Sequence, residues 1–399
     1  MRPPYHGLIE MTIPIVTLRP KEDKRIASGH LWVFSNEIAG ITGSPKTGDV
    51  VEVKSSKSIS LGYGFYNPNT LIAVRIFTRN YVEPDETFFI DRIKKALSLR
   101  QGLFPNNFYR LVYGESDFLP GLIIDRFDSF FTVQILSAAM ELRKSLIYRS
   151  IQALFTAEGI YERNESRTRE LEGLPLSKSI VLGDEKDVVY DEEGVVYRIR
   201  PFQGQKTGFY FDQRLNRIMS RRFSGNVDAL DLFCNDGGFA LNLAFAGARS
   251  VVAVDSSSAA IENVRNNSEL NSLNSIQVES IEVERFLSAA SASGRTFDLV
   301  VSDPPSFTKN RKSVPAAKAG YRRLHQNILK VLSKGGILLT ASCSHHIFRQ
   351  TFEEIVAETA QEQGRSVQLL YRGGASPDHP ILPAMPETEY LKFNAYRII

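Results

Sequence analysis

The chain contains 399 residues, of which 43% are hydrophobic and 23% are charged. These values exclude extensive disorder and fibrous sequences, and the length allows two or three domains. No apolar run approaches the roughly 18 residues that span a bilayer, and the N-terminus lacks the pattern of a secretory signal. We therefore expect a cytoplasmic protein with no membrane partner. The net charge of +3 is too small to indicate a nucleic-acid partner by itself.

Residues 12–81 contain short runs in which apolar and polar residues alternate, separated by Gly, Pro and Asn. The alternation is seen in Gly48–Lys54, Leu61–Tyr66 and Leu71–Phe77. Strands at this spacing are typical of a small β-rich barrel or sandwich. We predict such a domain over 12–81, with a linker at Asn80–Asp85.

Residues 82–200 combine helical and strand patterns. Apolar residues at helical spacing predict one helix between Phe88 and Leu99 and another at Met140–Phe155. Strands are predicted at Tyr109–Tyr113, Leu122–Asp125, Phe130–Leu136 and Gly159–Arg163, with a hairpin formed by Val188–Tyr190 and Val195–Ile199. This mixture indicates a small α+β domain.

Residues 201–399 alternate apolar strands with helical stretches. The predicted strands are Ala229–Phe233, Ser250–Val254, Ile276–Val278, Phe297–Ser302, Ile337–Ala341, Val367–Tyr371 and Tyr390–Ile398. Continuous apolar strands separated by helices indicate a parallel sheet that is covered on both faces. The third region is therefore predicted to be a doubly wound α/β domain.

Polar or flexible residues follow four strands of this domain. Asp231 precedes a turn that contains Gly237, and the second strand ends at Asp255. The fourth strand ends in Ser302–Phe307, which contains an Asp-Pro-Pro run, and the fifth ends in Ala341–His346. Ligands of doubly wound sheets bind beyond the carboxyl ends of the strands. These residues therefore predict a ligand site at one edge of the sheet.

Each of these features also has a structural interpretation. The glycine turn could be a tight connection, Asp255 a helix N-cap, and the Asp-Pro-Pro run a rigid turn. Cys343 could be a buried structural thiol, and Cys234 has no base or metal partner near it in sequence. Two cysteines exclude a disulfide framework and a four-cysteine zinc site, and we expect no metal. The placement of all four features at one edge favours the functional interpretation.

A dinucleotide dehydrogenase would share the glycine turn and the acid after the second strand. Its fingerprint G-x-G-x-x-G is absent, since Asp231 and Phe233 occupy the early positions. S-adenosylmethionine lacks phosphates and offers an amino acid, a sulfonium and a ribose, which suit acids at Asp231 and Asp255. We therefore predict S-adenosylmethionine as the cofactor.

The sequence resembles the bacterial class I methyltransferases that carry an N-terminal PUA domain and form 5-methylcytidine in large-subunit ribosomal RNA. The resemblance extends from about Leu18 to Ile399. It rests on the order and spacing of Glu115–Arg126, Lys206–Arg214, Asp231–Phe239, Asp303–Phe307, Ser342–Ser344, Asp378–Pro380 and Glu389–Lys392.

The resemblance implies a fold with three domains. These are a PUA-like RNA-binding domain over 12–81, a central α+β domain over 82–200 and a methyltransferase domain over 201–399. The last would be a Rossmann-like doubly wound sheet with an antiparallel last strand. Large-subunit ribosomal RNA is the implied partner, and a homodimer is compatible with the sequence.

The resemblance also implies cofactor contacts. Asp231 and Gly237 would line the methionine end and Asp255 the ribose. The full set of expected contacts is Asp231, Phe233, Gly237, Asp255, Lys206, Thr207, Phe209 and Pro304. The segment 206–209 would fold over the cofactor, or it could be a packed hairpin end. The family usually has an adenine-contacting acid near Ser280, where Glu279, Glu282 or backbone groups could take its place.

The chemistry of the pyrimidine ring explains why methylation of its carbon 5 requires a cysteine and an aspartate. Carbon 5 becomes nucleophilic when a thiolate adds to carbon 6, and Cys343 is the cysteine at a strand end facing the expected site. We assign Cys343 as the nucleophile and Asp303 as the group that holds the base. A base must then remove the proton on carbon 5. The RNA cytosine methyltransferases that use two cysteines have their second thiol at the position of Pro305 in this chain. The proton on carbon 5 would therefore be removed by His345, His346 or a water.

RNA contacts are expected beside the Asp-Pro-Pro loop, from Pro305, Phe307, Lys309, Arg311 and Lys312. The other basic runs, Arg19–Arg25, Arg221-Arg222 and Arg322-Arg323, could be solvated faces. Carbon 5 of uridine and an amino group of a base are alternative targets of methylation. Phe307, an aromatic residue near the Asp-Pro-Pro run, is compatible with methylation of an amino group. A small-molecule methyltransferase and a non-catalytic RNA-binding assembly factor are further alternatives.

Overall fold

The structure, a computed structural model, describes residues 13–308 and 311–399. Lys309 lies outside the described residues, and so does the side chain of Arg311. The described residues form two compact units, the first made of 13–185, 205–207 and 380–388 and the second of 186–204, 208–379 and 389–399. The three-domain boundaries expected from the sequence remain predictions.

The first unit begins with a six-stranded sheet. Its elements are β1 (Ile15–Leu18), α1 (Asp23–Ala27), β2 (Trp32–Phe34), β3 (Ile38–Thr42), β4 (Val50–Lys54), β5 (Ser60–Tyr66) and β6 (Ile72–Thr78). The strand order is β2–β6–β5–β4–β1–β3, with β1 and β4 parallel and the other pairs antiparallel. Alternate residues such as Val51 and Val53 are fully buried. This period-two burial confirms the predicted β-rich region.

A five-stranded sheet follows in the same unit. Its elements are α2 (Glu86–Leu103), β7 (Phe108–Tyr113), β8 (Leu122–Phe127), β9 (Phe130–Ile135), α3 (Ala138–Leu142), α4 (Lys144–Leu154), β10 (Gly159–Asn164) and β11 (Ser177–Leu182). The strand order is β11–β10–β9–β8–β7. The single helix predicted at Met140–Phe155 is wrong, because the chain breaks at Arg143 into α3 and α4. The Arg143 guanidinium donates to the carbonyl oxygens of Gly48 and Ala139.

The second unit contains a hairpin and a large sheet. Its elements are β12 (Val188–Glu192), β13 (Val195–Ile199), α5 (Arg214–Ser220), β14 (Asp228–Leu232), α6 (Gly238–Phe245), β15 (Ser250–Asp255), α7 (Ser258–Leu270), β16 (Ile276–Ser280), α8 (Val283–Ala292), β17 (Phe297–Ser302), α9 (Val314–Val331), β18 (Leu332–Ser342), α10 (Arg349–Glu362), β19 (Val367–Gly374) and β20 (Lys392–Ile398). The hairpin pairs β12 with β13, as predicted.

The large sheet has the strand order β16–β15–β14–β17–β18–β20–β19. Strands β14 to β18 are parallel, and β20 is antiparallel to both of its neighbours. Strands β14, β15 and β17 are buried along nearly their whole length. This is the doubly wound sheet with an antiparallel last strand that the sequence predicts.

The register of the sheet brings the predicted site residues to one edge. Leu232 in β14 pairs with Val254 in β15 and with Ser302 in β17, so these three strands end together. Ser302 pairs with Thr340 in β18. Because β20 is antiparallel, its first residue Lys392 lies at the same edge, opposite Ser342.

Candidate active site

Asp231 is fully buried near the carboxyl end of β14. Its Oδ2 accepts a hydrogen bond from the backbone N–H of Ala240 in the first turn of α6, at 2.9 Å. Its Oδ1 is buried and makes no hydrogen bond within the described structure. Burial, together with the negative charges of Asp303 and Asp255, raises the pKa of Asp231 to about 8. One carboxylate oxygen is therefore available to a ligand that donates a hydrogen bond or carries positive charge.

The turn between β14 and α6 has an unusual backbone. Phe233, Asn235 and Gly237 have positive φ values of 62°, 44° and 82°. Only glycine adopts this region without cost, and an aromatic residue there is strained. A Cβ at Gly237 would lie 3.2 Å from the methyl groups of Val264, so a side chain there would require Val264 to move by a few tenths of an ångström. The strain is concentrated beside Asp231, as it often is at functional sites.

Asp255 is the last residue of β15 and is half-buried. Its carboxylate accepts from the backbone N–H groups of Asn235 at 3.1 Å and Ser257 at 2.9 Å. Ser257, not Asp255, is the N-cap of α7. Ser280 lies opposite Asp255 on the neighbouring strand β16. Glu279 and Glu282, the two acidic alternatives for the adenine contact, are both exposed at that strand end.

These acids fit the cofactor that the sequence predicts. S-adenosylmethionine is positively charged at its sulfonium and ammonium groups, and Asp231 has an unpartnered buried oxygen. A carboxylate in low dielectric gains most from a nearby positive charge. Asp255, at the neighbouring strand end, has the acceptor oxygens that ribose hydroxyls need. The residues present therefore suit an amino-acid end at Asp231 and a ribose at Asp255.

Asp303 directly follows β17 and is half-buried. Its Oδ2 accepts a hydrogen bond from Nε2 of Gln213 at 2.9 Å. Gln213 in turn accepts from Asn216 at 2.6 Å, so a chain of amides orients the carboxylate. Pro304 is buried and Pro305 is exposed. The sequence interpretation assigned no role to Gln213, although it lies in the Lys206–Arg214 segment.

Cys343 directly follows β18 and is half-buried. Its thiol makes a weak contact with the carbonyl oxygen of Pro304, with Sγ and O 4.0 Å apart. The side chain also packs against the apolar cluster that contains Leu391 and Phe393. The thiol and the Asp303–Pro305 segment thus lie against each other at the ends of neighbouring strands.

The serines on either side of Cys343 are buried and hydrogen-bonded. The Ser344 hydroxyl accepts from the backbone N–H of Phe307 at 3.1 Å. The Tyr321 hydroxyl donates to Oγ of Ser342 at 2.9 Å and lies 3.1 Å from Oγ of Ser344. These bonds fix the backbone on both sides of Cys343 and attach it to the loop that carries Asp303.

Lys392 is a buried lysine at the start of β20, next to the Cys343 turn. Its ammonium donates to the carbonyl oxygens of Ser344 at 2.7 Å and Tyr390 at 2.8 Å. Burial lowers the pKa of Lys392 to about 8, and the negative charge of a Cys343 thiolate acts in the opposite direction. The sequence interpretation noted the Glu389–Lys392 segment without assigning it a role.

The other cysteine and the two histidines have different surroundings. Cys234 is 5% exposed within an apolar cluster, and burial raises the pKa of its thiol well above the ordinary value. His345 is exposed and its ring packs at a tilt against Tyr390, with centroids 5.6 Å apart, while His346 is half-buried. The structure therefore separates a buried thiol at 234 from an accessible one at 343.

The segment 205–207 belongs to the first unit and Phe209 to the second. Lys206 is exposed, and the Thr207 hydroxyl accepts from Arg110 at 3.2 Å. The ring of Phe209 is 6% exposed and packs edge-on against Tyr197 at 5.1 Å. This packing agrees with the hairpin-end interpretation for Phe209. The cofactor contacts expected from these three residues remain predictions.

The expected RNA contacts occupy different surroundings. Phe307 packs on Tyr321, with ring centroids 4.6 Å apart, whereas Pro305 and Lys312 are exposed. In the other basic runs, several arginines form ion pairs within the chain. These pairs are Arg25 with Glu37, Arg322 with Glu358 and Arg323 with Glu284. Of the predicted RNA-binding cations, Lys312 is the one whose side chain is described.

The described part of the chain contains no helix that is long and apolar enough to cross a membrane. Within the same residues, no group of three or more His, Cys, Asp or Glu side chains is arranged to hold a metal ion.

Two family models match the chain. A PUA-like domain matches residues 16–79, and an S-adenosylmethionine-dependent methyltransferase domain matches residues 163–392. Among solved structures, a methyltransferase crystallised with SAH has a TM-score of 0.84 at 20% identity and covers 97% of this chain and 100% of its own. A SAM-dependent methyltransferase from Streptococcus mutans has a TM-score of 0.83 at 19% identity over 97% of this chain and 100% of its own. These likenesses agree with the fold described above.

The fold, the site and the domain matches define an S-adenosylmethionine-dependent methyltransferase with a PUA-like domain. A protein of Shigella dysenteriae named ribosomal RNA large subunit methyltransferase I is 34% identical over 98% of this chain and 100% of its own length. A protein of the same name from Pseudoalteromonas atlantica is 36% identical over 94% of this chain and 97% of its own. The chain belongs to the ribosomal RNA large subunit methyltransferase I family, and its cofactor is S-adenosylmethionine. This confirms the resemblance seen in the sequence.

Proposed function

We propose that the protein methylates carbon 5 of a cytidine in large-subunit ribosomal RNA through a covalent adduct with Cys343. The relatives named above are ribosomal RNA large subunit methyltransferases, which supports the RNA substrate. The observation that carries the covalent step is the position of the Cys343 thiol, 4.0 Å from the carbonyl oxygen of Pro304. A nucleophile and the carboxylate next to Pro304 can therefore act on the same ring.

The reaction starts with the Cys343 thiolate, since the thiol itself is a poor nucleophile. The thiolate sulfur forms a bond to carbon 6 of the pyrimidine, and the electrons of the 5,6 double bond move towards carbon 5. Carbon 5 is then nucleophilic enough to accept the methyl group that bound S-adenosylmethionine would supply, with the sulfur of the cofactor leaving as a neutral thioether.

Release of the product restores the double bond. A base removes the proton from carbon 5, the electrons re-form the 5,6 double bond, and the Cys343 thiolate leaves carbon 6. His345 and His346, two and three residues after Cys343, are candidates for this base, with a water as the third.

Asp303 holds the base during these steps. Its Oδ2 is oriented by Gln213 at 2.9 Å, and the carboxylate can accept a hydrogen bond from a base N–H or stabilise positive charge on the ring. The two consecutive prolines that follow Asp303 limit the conformations of the loop. Orientation of this kind lowers the entropic part of the barrier.

The packing of Phe307 favours carbon-5 chemistry over amino-group methylation. In the amino-group mechanism, an aromatic ring beside the Asp-Pro-Pro loop grips the base. Here the Phe307 ring packs at a tilt against Tyr321, with centroids 4.6 Å apart, and the backbone N–H of Phe307 donates to Ser344. Uridine carbon 5 uses the same thiol chemistry, so the test must identify the methylated nucleoside.

The test compares two cysteine variants. Ribosomal RNA from cells that lack this protein is incubated with labelled S-adenosylmethionine and wild-type, Cys343→Ala or Cys234→Ala protein, and the methylated nucleosides are identified by mass spectrometry. We expect 5-methylcytidine with the wild type and Cys234→Ala, and none with Cys343→Ala, while cofactor affinity stays within about twofold. Undiminished turnover by Cys343→Ala contradicts the covalent mechanism. Label in 5-methyluridine or in an amino group would identify a different target.

A further inference from the structure

Lys392 is a charged side chain that the turnover steps above do not use, although it lies at the edge of the sheet where Cys343 ends β18. It is 2% exposed, and the chain positions it opposite Ser342 in the β18–β20 pairing. Burial of an ammonium group is costly unless it is paired or hydrogen-bonded. A buried lysine at this place therefore needs a compensating partner.

Two carbonyl oxygens provide part of this compensation. The ammonium donates to Ser344 at 2.7 Å and Tyr390 at 2.8 Å, which flank the thiol turn and the start of β20. Carbonyl groups are dipoles and do not neutralise a full charge. The electrostatic partners of Lys392 are Cys343 and Glu389, which favour the ammonium, and Arg349, which opposes it. Glu389 is half-exposed and forms an ion pair with Arg349 at 3.3 Å.

Other titratable groups near Cys343 are two phenols, the Asp303 carboxyl group and the histidines His345 and His346, which follow in the same turn. Tyr321 on α9 and Tyr210 both interact electrostatically with Cys343, and burial raises the pKa of each phenol, so both stay neutral. Asp303, on the loop after β17, acts on the same two phenols and would disfavour a second negative charge nearby. Lys392 is thus a buried cation that interacts with the thiol.

We propose that Lys392 is a positioning residue for Cys343, whose ammonium stabilises the thiolate and holds the backbone of Ser344. The inference rests on the proposed function, because it explains how the nucleophile of that reaction is activated. A thiolate next to a lysine ammonium is favoured by charge attraction, which is stronger in a partly buried site than in water. The carbonyl bond to Ser344 keeps the ammonium beside the cysteine.

The test measures the reactivity of the thiol without RNA or cofactor. The full-length wild type, Lys392→Gln, Lys392→Arg and Lys334→Gln are treated with iodoacetamide between pH 5.5 and 9.5, and carbamidomethylation of Cys343 and Cys234 is followed separately by peptide mass spectrometry. Glutamine keeps a hydrogen-bond donor and removes the charge, whereas arginine keeps the charge. Lys334 is exposed near the opposite end of β18 and is the matched control.

In Lys392→Gln we expect alkylation of Cys343 at pH 7 to be about tenfold slower, with the midpoint of the rate profile at higher pH. The difference from the wild type should shrink above pH 8, because burial lowers the pKa of Lys392 to about 8 and the lysine then loses its charge. Lys392→Arg should stay within about threefold of the wild type, and Lys334→Gln should match it. If Lys392 acts only through hydrogen bonds, the pH profile of Cys343 alkylation in Lys392→Gln should equal that of the wild type. Such a result would overturn the proposal.

Cys234 reports on folding in the same experiment. It is buried, so it stays unreactive while the protein is folded. If Cys234 becomes reactive in Lys392→Gln, that variant is misfolded and the Lys392→Arg variant provides the test instead. A wild-type rate of Cys343 alkylation in Lys392→Arg supports the role of the charge, and a tenfold slower rate overturns it. The covalent mechanism itself is tested by a different experiment, the turnover of Cys343→Ala. Its failure can therefore be distinguished from failure of the Lys392 proposal, which the alkylation of Cys343 tests.

Discussion

The hydroxyl of Ser344 accepts a hydrogen bond from the backbone N–H of Phe307 at 3.1 Å. This bond joins the turn that carries Cys343 to the loop that carries Asp303. Ser344 is fully buried, so the N–H of Phe307 would lose a protected partner if the hydroxyl were removed. The relative position of the thiol and the carboxylate therefore depends on one serine side chain.

Ser344→Ala should lower both stability and turnover. Leaving a buried donor unsatisfied costs about 1–3 kcal/mol, and the two loops would separate slightly. We expect a lower melting temperature and a fall in kcat of about tenfold, with a smaller change in cofactor affinity, because most of the expected cofactor contacts, Asp231 and Asp255 among them, lie on other strands. Thermal unfolding and steady-state kinetics check both effects. Ser333→Ala, at the start of β18, serves as the control, and an equal loss of kcat there would contradict this account.

Gln213→Glu tests the orientation of Asp303. Gln213 donates to Oδ2 of Asp303 at 2.9 Å, and a glutamate there would place a second carboxylate at hydrogen-bond distance. Like charges this close disfavour ionisation of both groups. We expect kcat to fall at least tenfold at pH 7 and to recover partly at lower pH, as one proton is shared by the pair. Gln277→Glu, on the exposed face of β16, should leave the pH profile unchanged. If kcat of Gln213→Glu had the same pH dependence as that of the wild type, Gln213 would not orient Asp303 during the reaction.

The Asp231 carboxyl predicts a dependence of stability on pH. Its pKa is raised from 3.8 to about 8, so the folded state holds this proton more tightly than the unfolded state does. The stabilisation from the bound proton is present at and below pH 4 and is lost as the pH rises to 8. The Asp231→Asn side chain cannot ionise, so its effect on stability does not change with pH. Without cofactor, the variant should gain stability relative to the wild type as the pH rises from 4 to 8. The expected gain is on the order of 4 kcal/mol in unfolding free energy, and thermal unfolding at several pH values measures it.

The control for this prediction is Asp91→Asn, which changes an exposed carboxyl group in α2. It should track the wild type at every pH. A constant difference between Asp231→Asn and the wild type from pH 4 to pH 8 would show that Asp231 is ionised throughout. Above pH 8, where the Asp231 carboxyl group is ionised, the same Asp231→Asn variant should bind S-adenosylmethionine more weakly than the wild type, since the asparagine lacks the charge that attracts the ammonium group.

Lys312→Ala tests the RNA-binding role of the basic run after the Asp-Pro-Pro loop. Lys312 is exposed, and a lysine that contacts a phosphate releases counterions on binding. We expect weaker binding of ribosomal RNA fragments and a decrease of about 1 in the magnitude of the slope of log K against log salt. Lys330→Ala, near the end of α9, should retain the wild-type slope. Equal slopes for Lys312→Ala and the wild type would place the RNA elsewhere.

The main elements of the fold could be predicted because they depend on local patterns. The apolar runs that became β14, β15 and β17 are buried on both faces, and such runs are visible without knowledge of their neighbours. The edge strand β11 was not predicted, since Ile180 and Val181 are each 40% exposed and the strand has no clear alternation. The break at Arg143 depends on a bond to Gly48, far away in sequence.

The site was predictable where a residue ends a strand or directly follows one. Asp255, Asp303 and Cys343 are in this position, and parallel pairing brings them to one edge. Gln213 and Lys392 could not be assigned in the same way, because each acts through a partner that is remote in sequence. Gln213 is 90 residues from Asp303 and Lys392 is 48 residues from Ser344. Only the tertiary structure shows these pairs.

The measurement that tests the covalent mechanism most directly is capture of the adduct. Ribosomal RNA fragments containing 5-fluorocytidine are incubated with the protein and S-adenosylmethionine, and the crosslinked peptide is identified by mass spectrometry. Fluorine cannot leave carbon 5 as a proton does, so the bond between enzyme and carbon 6 should persist. We predict a methylated 5-fluorocytidine attached to Cys343 and no attachment at Cys234. Complete methylation of ordinary cytidine without any Cys343-linked product from the fluorinated RNA would contradict the mechanism.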